Sequence, residues 1–396
     1  MAQMFNEISS VQPRDPELVR AAKPKRFKFI NVPFVAILTL LVAFGLLVQL
    51  SATSADADYS FARQLSGVLI GLVLAIGISR LDYHVLSGYT TLFLILIVVL
   101  LISPHLPFIG VTNKGATSWI KIGPLPQLQP GEFAKVLVVL LCASVMARYG
   151  GRLDDLREYV KVVAILAVPF VCILTQPDFG TGLVYVVIAA FTLIMGGANW
   201  RFMVGTVFAL LGLFALLVVT DPILDGIAGH DVGLKDYQMS RLMVWNDSTV
   251  DTSGDGYNVQ QAMIAIGSGG LTGKGFMQAT QSTLGFLPEA PTDFVFCVLA
   301  EEFGFVGAVI LLVMYAVLIA VSVGIALRSN DLFGTLIVMG AVGIWVFQIF
   351  ENIGMDIGLM PVTGIPLPFI SYGTSFMIMN FCLIGLINSV WVHNGH

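Results

Sequence analysis

Charged side chains are scarce in this chain, and the few that interrupt its apolar stretches are the natural places to look for chemistry. An ionisable group inside hydrocarbon costs several kcal/mol unless it is paired or hydrated. Glu132 and Lys135 stand three apart at the start of one apolar run, a spacing that puts them on one helix face within pairing distance. Such a pair could pin two helices together or present fixed charge to a polar ligand. Asp178 lies between two runs, and Asp293 follows Pro288 and Pro291 where another begins. Asp293 is therefore placed either to cap a helix through the N–H groups of its first turn or to take up a proton as a general base. Glu301 comes eight residues later, about 12 Å along a helix, so it must face protein or water. Glu302 adjoins it, and Glu351 and Asp356 close the next run.

Other chemistries are poorly served. The run from Gly267 to Gly275 (GSGGLTGKG) invites a phosphate-loop reading, but Ser268 stands where the first glycine is required and Gly275 where Ser or Thr must follow the lysine. It reads as a tight turn with exposed N–H groups, from which Lys274 can meet an anion as a point charge. The five histidines are scattered, and Cys142, Cys172, Cys297 and Cys382 lie in apolar sequence with no C-x-x-C pair. Neither a transition-metal site nor a disulfide framework is expected. No organic cofactor is expected, and without a basic stripe interleaved with aromatics no nucleic acid is either.

The elements that must position these residues are membrane helices. The 396 residues are 57% hydrophobic and 11% charged, with net charge −5 and mean hydropathy +0.88, whereas an ordinary soluble domain carries about 25% charged residues. A soluble fold is excluded. Crossing about 30 Å of hydrocarbon takes ~20 apolar residues. Such stretches recur at about 33–51, 62–79, 84–103, 130–147, 161–176, 180–198, 201–220, 295–327, 332–352 and 369–392. The expected fold is an all-α integral membrane protein with about ten transmembrane helices; Pro177, Asp178 and Gly180 leave a re-entrant hairpin open as an alternative at the fifth and sixth. The first stretch begins after some thirty residues and has no small-residue cleavage site, so it stays in the membrane.

Basic residues near span ends are retained in the cytoplasm. With the N-terminus inside, thirteen of the 20 Lys and Arg fall on the cytoplasmic side and six outside, Lys135 lying within a span. Both termini are then cytoplasmic. Residues 1–30 read as a flexible basic tail whose Lys23 to Lys28 cluster meets anionic headgroups, and 31–396 as the polytopic membrane domain. Two outer loops exceed a connector's length: about 104–129, and about 221–294 between helices seven and eight, the latter expected to be ordered over the membrane-embedded body. Neither a fixed-period repeat nor the matched interrupted helices of inverted-repeat transporters is visible.

Several segments together resemble the SEDS family of cell-shape, division and sporulation proteins. They are Gly115 to Ile120 (GATSWI), Gln129 to Lys135 (QPGEFAK), Gln176 to Thr181 (QPDFGT), Gly256-Tyr257, Ala265 to Gly270, Gly273 to Gly275, Phe286 to Glu289 (FLPE), Thr292 to Phe294, Glu301-Glu302, Asn352 to Met355 and the long run from Gly358 to Gly373 (GLMPVTGIPLPFISYG). The likeness runs from about residue 33 to the end, and Met360, Val362 and Ile365 resemble the RodA branch more than the division-specific FtsW branch. Gly131, Pro291 and Thr374 depart from the Ser, His and second Gly common at those places.

The resemblance implies an enzyme that polymerises lipid II, an undecaprenyl-diphosphate-linked disaccharide-pentapeptide, into glycan strands beside a class B penicillin-binding protein. Its functional aspartate falls on Asp293 and its membrane-edge Glu and Lys on Glu132 and Lys135, which form the candidate catalytic set. Arg241, Lys274, Lys121, Asp178 and Glu301 form the candidate substrate-binding set. A divalent cation, Mg²⁺ or Mn²⁺, bridging the diphosphate with Asp293 as a ligand, is the one cofactor the chemistry admits. Joining sugars with inversion needs one base and a leaving group that departs as a stable anion, so a single carboxylate suffices, unlike the paired carboxylates of retaining glycosidases. Two rival readings remain: a transporter that flips lipid II, and a non-catalytic scaffold that recruits a penicillin-binding protein.

Overall fold

The computed structural model describes residues 30–394 except 55, 57, 108, 114, 115, 122, 124–126, 177 and 229–253. Short polar residues cap several of the helices. Asn31 accepts the Phe34 N–H at the head of α1 (Val32–Ala52). Asp155 accepts two N–H groups at the head of α5 (Leu156–Leu174). Asp178 accepts the Thr181 N–H at the head of α6 (Phe179–Met195), each satisfying donors a helix start leaves open. The remaining helices of the first half are α2 (Phe61–Ser79), α3 (Thr90–Ile102), α4 (Pro130–Ala147) and α7 (Trp200–Ala228). After them come α8 (Asp255–Gly269), α9 (Val295–Ala326), α10 (Leu332–Asp356) and α11 (Thr374–His393). The apolar stretches read from the sequence lie on α1 to α7 and α9 to α11. Among the described residues six helices, α1, α2, α4, α9, α10 and α11, are long and apolar enough to cross a membrane, and three apolar helices are shorter.

The core lies where α4, α10 and α11 are most enclosed, with α3, α6 and α9 packed around them. Along the α2–α11 contact, Gly67 lies against Thr374, Gly71 against Phe381 and Gly385 against Ala75. Small residues let membrane helices approach closely in this way. Outward faces remain apolar, with Leu69 and Val73 on α2 and Ile310 and Val313 on α9 exposed.

The structure corrects several expectations. The stretch 84–103 is split into a 3₁₀ segment, Tyr83–Gly88, and α3. The loop 104–129 is not purely irregular, since Gly110–Asn113 (β1) and Ala116–Ile120 (β2) form an antiparallel hairpin, so the fold is not strictly all-α. At the expected fifth and sixth stretches, α5 ends at Leu174 and α6 starts at Phe179 with Asp178 as its cap, while Pro177 lies outside the described residues. The last helix starts at Thr374 and not at 369, because Phe369 (φ 63°) and Gly373 (φ 153°) lie outside helical backbone geometry. Within the segment 221–294, α7 continues to Ala228 and α8 packs along α9, while 229–253 lie outside the described residues.

The long stretch 295–327 is broken. Gly304 adopts φ 66°, a left-handed conformation that interrupts α9. An unbroken helix would pair the N–H groups of 305 and 306 with the carbonyls of 301 and 302. Instead, Phe305 N–H donates to Gly270 O (2.9 Å) and Val306 N–H to Leu271 O (3.1 Å), while Glu301 O accepts from Lys274 N–H (2.9 Å) and Glu302 O from Gly275 N–H (3.0 Å). The glycine-rich strap 270–275 thus replaces two missing helical rungs. The N–H groups of Lys274 and Gly275, expected to be exposed on a tight turn, are instead bonded to α9.

Candidate functional site

Asp293 sits on a turn whose backbone is fixed from several sides. Glu289, at φ 55°, turns its carbonyl toward the chain ahead, where it accepts from the N–H groups of Thr292 (3.1 Å), Asp293 (3.1 Å) and Phe294 (3.3 Å). Pro291 O accepts from Gln49 Nε2 and from Tyr372 N–H, both at 2.8 Å. Asn352 Nδ2 donates to Asp293 O (2.8 Å) and to Ile365 O (2.9 Å). The Asp293 side chain is half-buried and lies against Gly364, where an added Cβ would stand 3.2 Å from Oδ2. Gly364 has φ 72°, a backbone conformation that favours glycine, and an added Cβ would make the Asp293 carboxylate give by a few tenths of an ångström. The cap position of α9 falls on Phe294, which supplies no side-chain bond.

The irregular run 363–373 carries this turn and is itself held by polar residues of the surrounding helices. Thr363 Oγ1 donates to Glu351, Tyr315 Oη to Pro368 O (2.6 Å), Gln49 Nε2 to Ile370 O (2.8 Å) and Gln64 Nε2 to Ser371 O (3.1 Å). Non-helical backbone at membrane depth must be satisfied by protein in this fashion. Asp356, fully buried, has the Cys297 thiol and the carboxylates of Glu351 and Asp293 as neighbours.

Glu132 and Lys135 meet as their spacing requires: Nζ lies 2.6 Å from Oε1, with both side chains almost entirely buried. Lys135 also lies over the Phe376 ring, 5.7 Å from its centroid. Glu132 Oε2 has no hydrogen-bond partner among the described residues. Next to the pair, Asp178 accepts from Gln129 Nε2 (3.1 Å) and from Thr181 N–H and Oγ1 (3.0 and 2.9 Å). Gln129 N–H reaches Ser375 Oγ (3.2 Å) and Gly180 backs onto the Thr363 carbonyl. The run 363–376 therefore touches both the Asp293 turn and the ion-pair region.

The other candidates are differently placed. Glu301 is a knot: Oε1 accepts from Lys274 Nζ (2.5 Å), Thr280 N–H (2.9 Å) and Thr280 Oγ1 (2.7 Å), and Oε2 from Gln281 N–H (3.2 Å). Lys274 is therefore engaged in securing the strap. Lys121 is exposed at the end of the hairpin, and Arg241 lies outside the described residues. Among the described residues no three His, Cys, Asp or Glu side chains stand close enough to hold a metal ion by themselves. A Mg²⁺ site of one carboxylate completed by substrate phosphate oxygens needs no such cage, and the half-buried Asp293 suits that single-carboxylate role.

The sequence reading missed the polar rim before Asp293. Tyr59 Oη and Thr292 Oγ1 both donate to Glu289 Oε2, at 2.7 and 3.0 Å. The Tyr59 and Tyr372 rings meet edge to face, centroids 5.0 Å apart. Burial first, then the hydrogen bond to Glu289, pushes the Tyr59 phenol well above its ordinary range, which keeps it a donor. Glu289 already stood in the recognised run Phe286 to Glu289; Tyr59 carries no local signal.

A sequence profile of cell cycle proteins, FtsW/RodA/SpoVE, matches residues 31–396. This chain belongs to the FtsW/RodA/SpoVE family. Peptidoglycan glycosyltransferase MrdB of Escherichia coli (strain K12) is 35% identical over 357 residues, 90% of this chain and 92% of that protein. Stage V sporulation protein E of Bacillus subtilis (strain 168) is 32% identical, over 90% and 95%. In fold, this FtsW/RodA/SpoVE chain is similar to one from a peptidoglycan synthase complex described as coordinating polymerization and crosslinking, with TM-score 0.73 and 30% identity over 91% of this chain and 97% of that one. It is also similar to the Thermus thermophilus rod shape determining protein RodA, with TM-score 0.65 and 29% identity over 91% and 96%.

Proposed function

We propose that this chain is a peptidoglycan glycosyltransferase that polymerises lipid II on the outer face of a bacterial cytoplasmic membrane. The observation that carries the reading is Asp293: a half-buried carboxylate on a turn whose backbone is held by Glu289, Gln49, Asn352 and Tyr372. A base that must meet one hydroxyl gains from such pre-organisation. In the proposed step Asp293 takes the proton of the acceptor GlcNAc 4-hydroxyl as its oxygen bonds to C1 of the donor MurNAc. The C1–O bond to the diphosphate breaks with inversion, undecaprenyl diphosphate leaves as an anion, and the proton remains on Asp293. The buried Glu132–Lys135 pair supplies fixed charge beside the same irregular run. A divalent cation bound by Asp293 would neutralise diphosphate charge.

The membrane reading goes with it: ten spans on α1 to α7 and α9 to α11, both termini cytoplasmic, 221–294 outside. The RodA-like residues Met360, Val362 and Ile365 favour a role in elongation, and the likeness to a polymerization and crosslinking complex favours a class B penicillin-binding protein as partner. Purified protein with lipid II in detergent tests the function: glycan polymer is expected, and none from Asp293→Asn. A flippase or a scaffold would leave lipid II unpolymerised, since flipping has no meaning without a bilayer.

A further inference from the structure

We propose that Tyr59, Tyr372, Glu289 and Thr292 form a saccharide subsite that seats the acceptor glycan beside Asp293; this rests on the glycosyltransferase reading above. The four residues come from the α1–α2 connector, the run before α11 and the turn before α9, and they gather at the outer edge of the Asp293 turn. Tyr59 counts Asp293 among its charged neighbours. All four are half-buried, like Asp293, whereas Ala290, Pro291 and Phe294 between them are enclosed. The polar groups and rings of this turn are therefore partly accessible while its apolar side chains are enclosed.

Sugars bind where aromatic faces meet carboxylates: pyranose C–H faces lie on rings, and ring hydroxyls donate to a charged acceptor in strong, directional bonds. This edge offers both. Two hydroxyls converge on Glu289 Oε2 and orient the carboxylate. Ser60 N–H reaches Tyr372 Oη at 3.3 Å and the two rings brace each other, so the aromatic wall is fixed before a ligand arrives. Glu289 is a non-glycine residue at φ 55°, a conformation that costs energy and persists where surroundings over-determine it, as at ligand clamps. Its carbonyl holds the Asp293 N–H while its carboxylate belongs to the proposed sugar wall. One residue would thereby set the spacing between the bound hydroxyl and the base.

The test uses the full chain in detergent with a soluble N-acetylglucosamine tetramer, which has neither lipid nor diphosphate and so resembles only the acceptor's sugars. Saturation-transfer NMR should show the tetramer bound to the wild type, with the signal lost in Tyr59→Ala and weakened in Glu289→Gln. In polymerisation, Tyr59→Ala should raise KM for lipid II about tenfold with a smaller change in kcat, and Tyr59→Phe, which keeps the ring, should fall between it and the wild type. No tetramer signal from the wild type, or an unchanged KM in Tyr59→Ala with only a lowered melting temperature, would overturn the subsite and leave a structural latch. A wild-type protein that binds the tetramer yet makes no polymer would instead remove the glycosyltransferase reading.

Discussion

Lys135 Nζ lies 2.6 Å from Glu132 Oε1 with neither side chain open to solvent. Two charges so enclosed are costly singly and tolerable together. Lys135→Met strands a buried carboxylate and should destabilise the protein by about 3–5 kcal/mol, read as a lowered thermal midpoint in detergent. The double change Glu132→Gln with Lys135→Met should restore much of that midpoint. If the double variant is also fully active on lipid II, the pair serves the fold alone.

Asp293 can be separated from a helix cap by one amide. A cap keeps much of its worth as asparagine, whereas an amide cannot take up a proton at neutral pH, and loss of a general base costs about 10²- to 10⁴-fold in rate. Asp293→Asn should therefore fold, melt normally and make no detectable glycan, with Asp293→Glu retaining little. Rates measured across Mn²⁺ concentrations separate a metal-binding role. Near-normal polymerisation by Asp293→Asn would end its assignment as the base.

Gly364→Ala is expected to damage rate more than stability. The left-handed backbone at φ 72° costs a non-glycine residue about 1–2 kcal/mol. The new methyl carbon would also stand 3.2 Å from Asp293 Oδ2 and push the carboxylate aside. The carboxylate must give by a few tenths of an ångström, a fraction of the about 1 Å that can cost about 10²-fold, so kcat should fall several-fold while the midpoint drops by a few degrees. Equal activity in Gly364→Ala would show that the carboxylate does not need its present position.

Glu301 and Lys274 divide stability from binding. Removing the knot with Glu301→Ala frees Lys274, Thr280 and Gln281 together and should lower stability by on the order of 3 kcal/mol. Lys274→Met leaves Glu301 its Thr280 and Gln281 donors, so a smaller loss is expected. Should Lys274→Met raise KM for lipid II tenfold at an unchanged midpoint, Lys274 meets the diphosphate as well as the strap.

Topology is open to a direct measurement. Ser248→Cys should react with a membrane-impermeant thiol reagent in intact cells, or in spheroplasts where an outer membrane blocks access. Labelling only after the cytoplasmic membrane is opened would reverse the orientation.

Hydropathy made the helices legible because lipid-facing and buried positions are both apolar in such a fold, but for the same reason it could not show where a helix breaks. Apart from the neighbouring Glu301 and Glu302, nothing in the apolar stretch 295–327 marks Gly304 as different from Gly307 or Gly324, which stay helical. The Glu132–Lys135 pair was readable from spacing alone, since one helix carries both. Gln49, Gln64, Tyr315 and Asn352 were invisible as a set because their common target, the run 363–373, lies far from most of them in sequence. Glu301 drew attention as an intramembrane charge, yet its partners on the strap could be found only in three dimensions.

The bonds around the Asp293 turn also set an order of assembly during synthesis. The strap closes on α9 across short distances in sequence, Lys274 and Glu301 being 27 positions apart, so this contact can form while translation continues. Gln49, by contrast, must reach Pro291 across 242 positions and Ile370 across 321, and the Tyr372 N–H arrives later still. The first helix made waits for nearly the last segment made. A nascent chain interrupted before residue 370 would hold an inserted, largely helical body in which Pro291 O lacks the Tyr372 N–H and Gln49 lacks its second anchor at Ile370, so the Asp293 turn gains its last restraint only when the end of the chain is made.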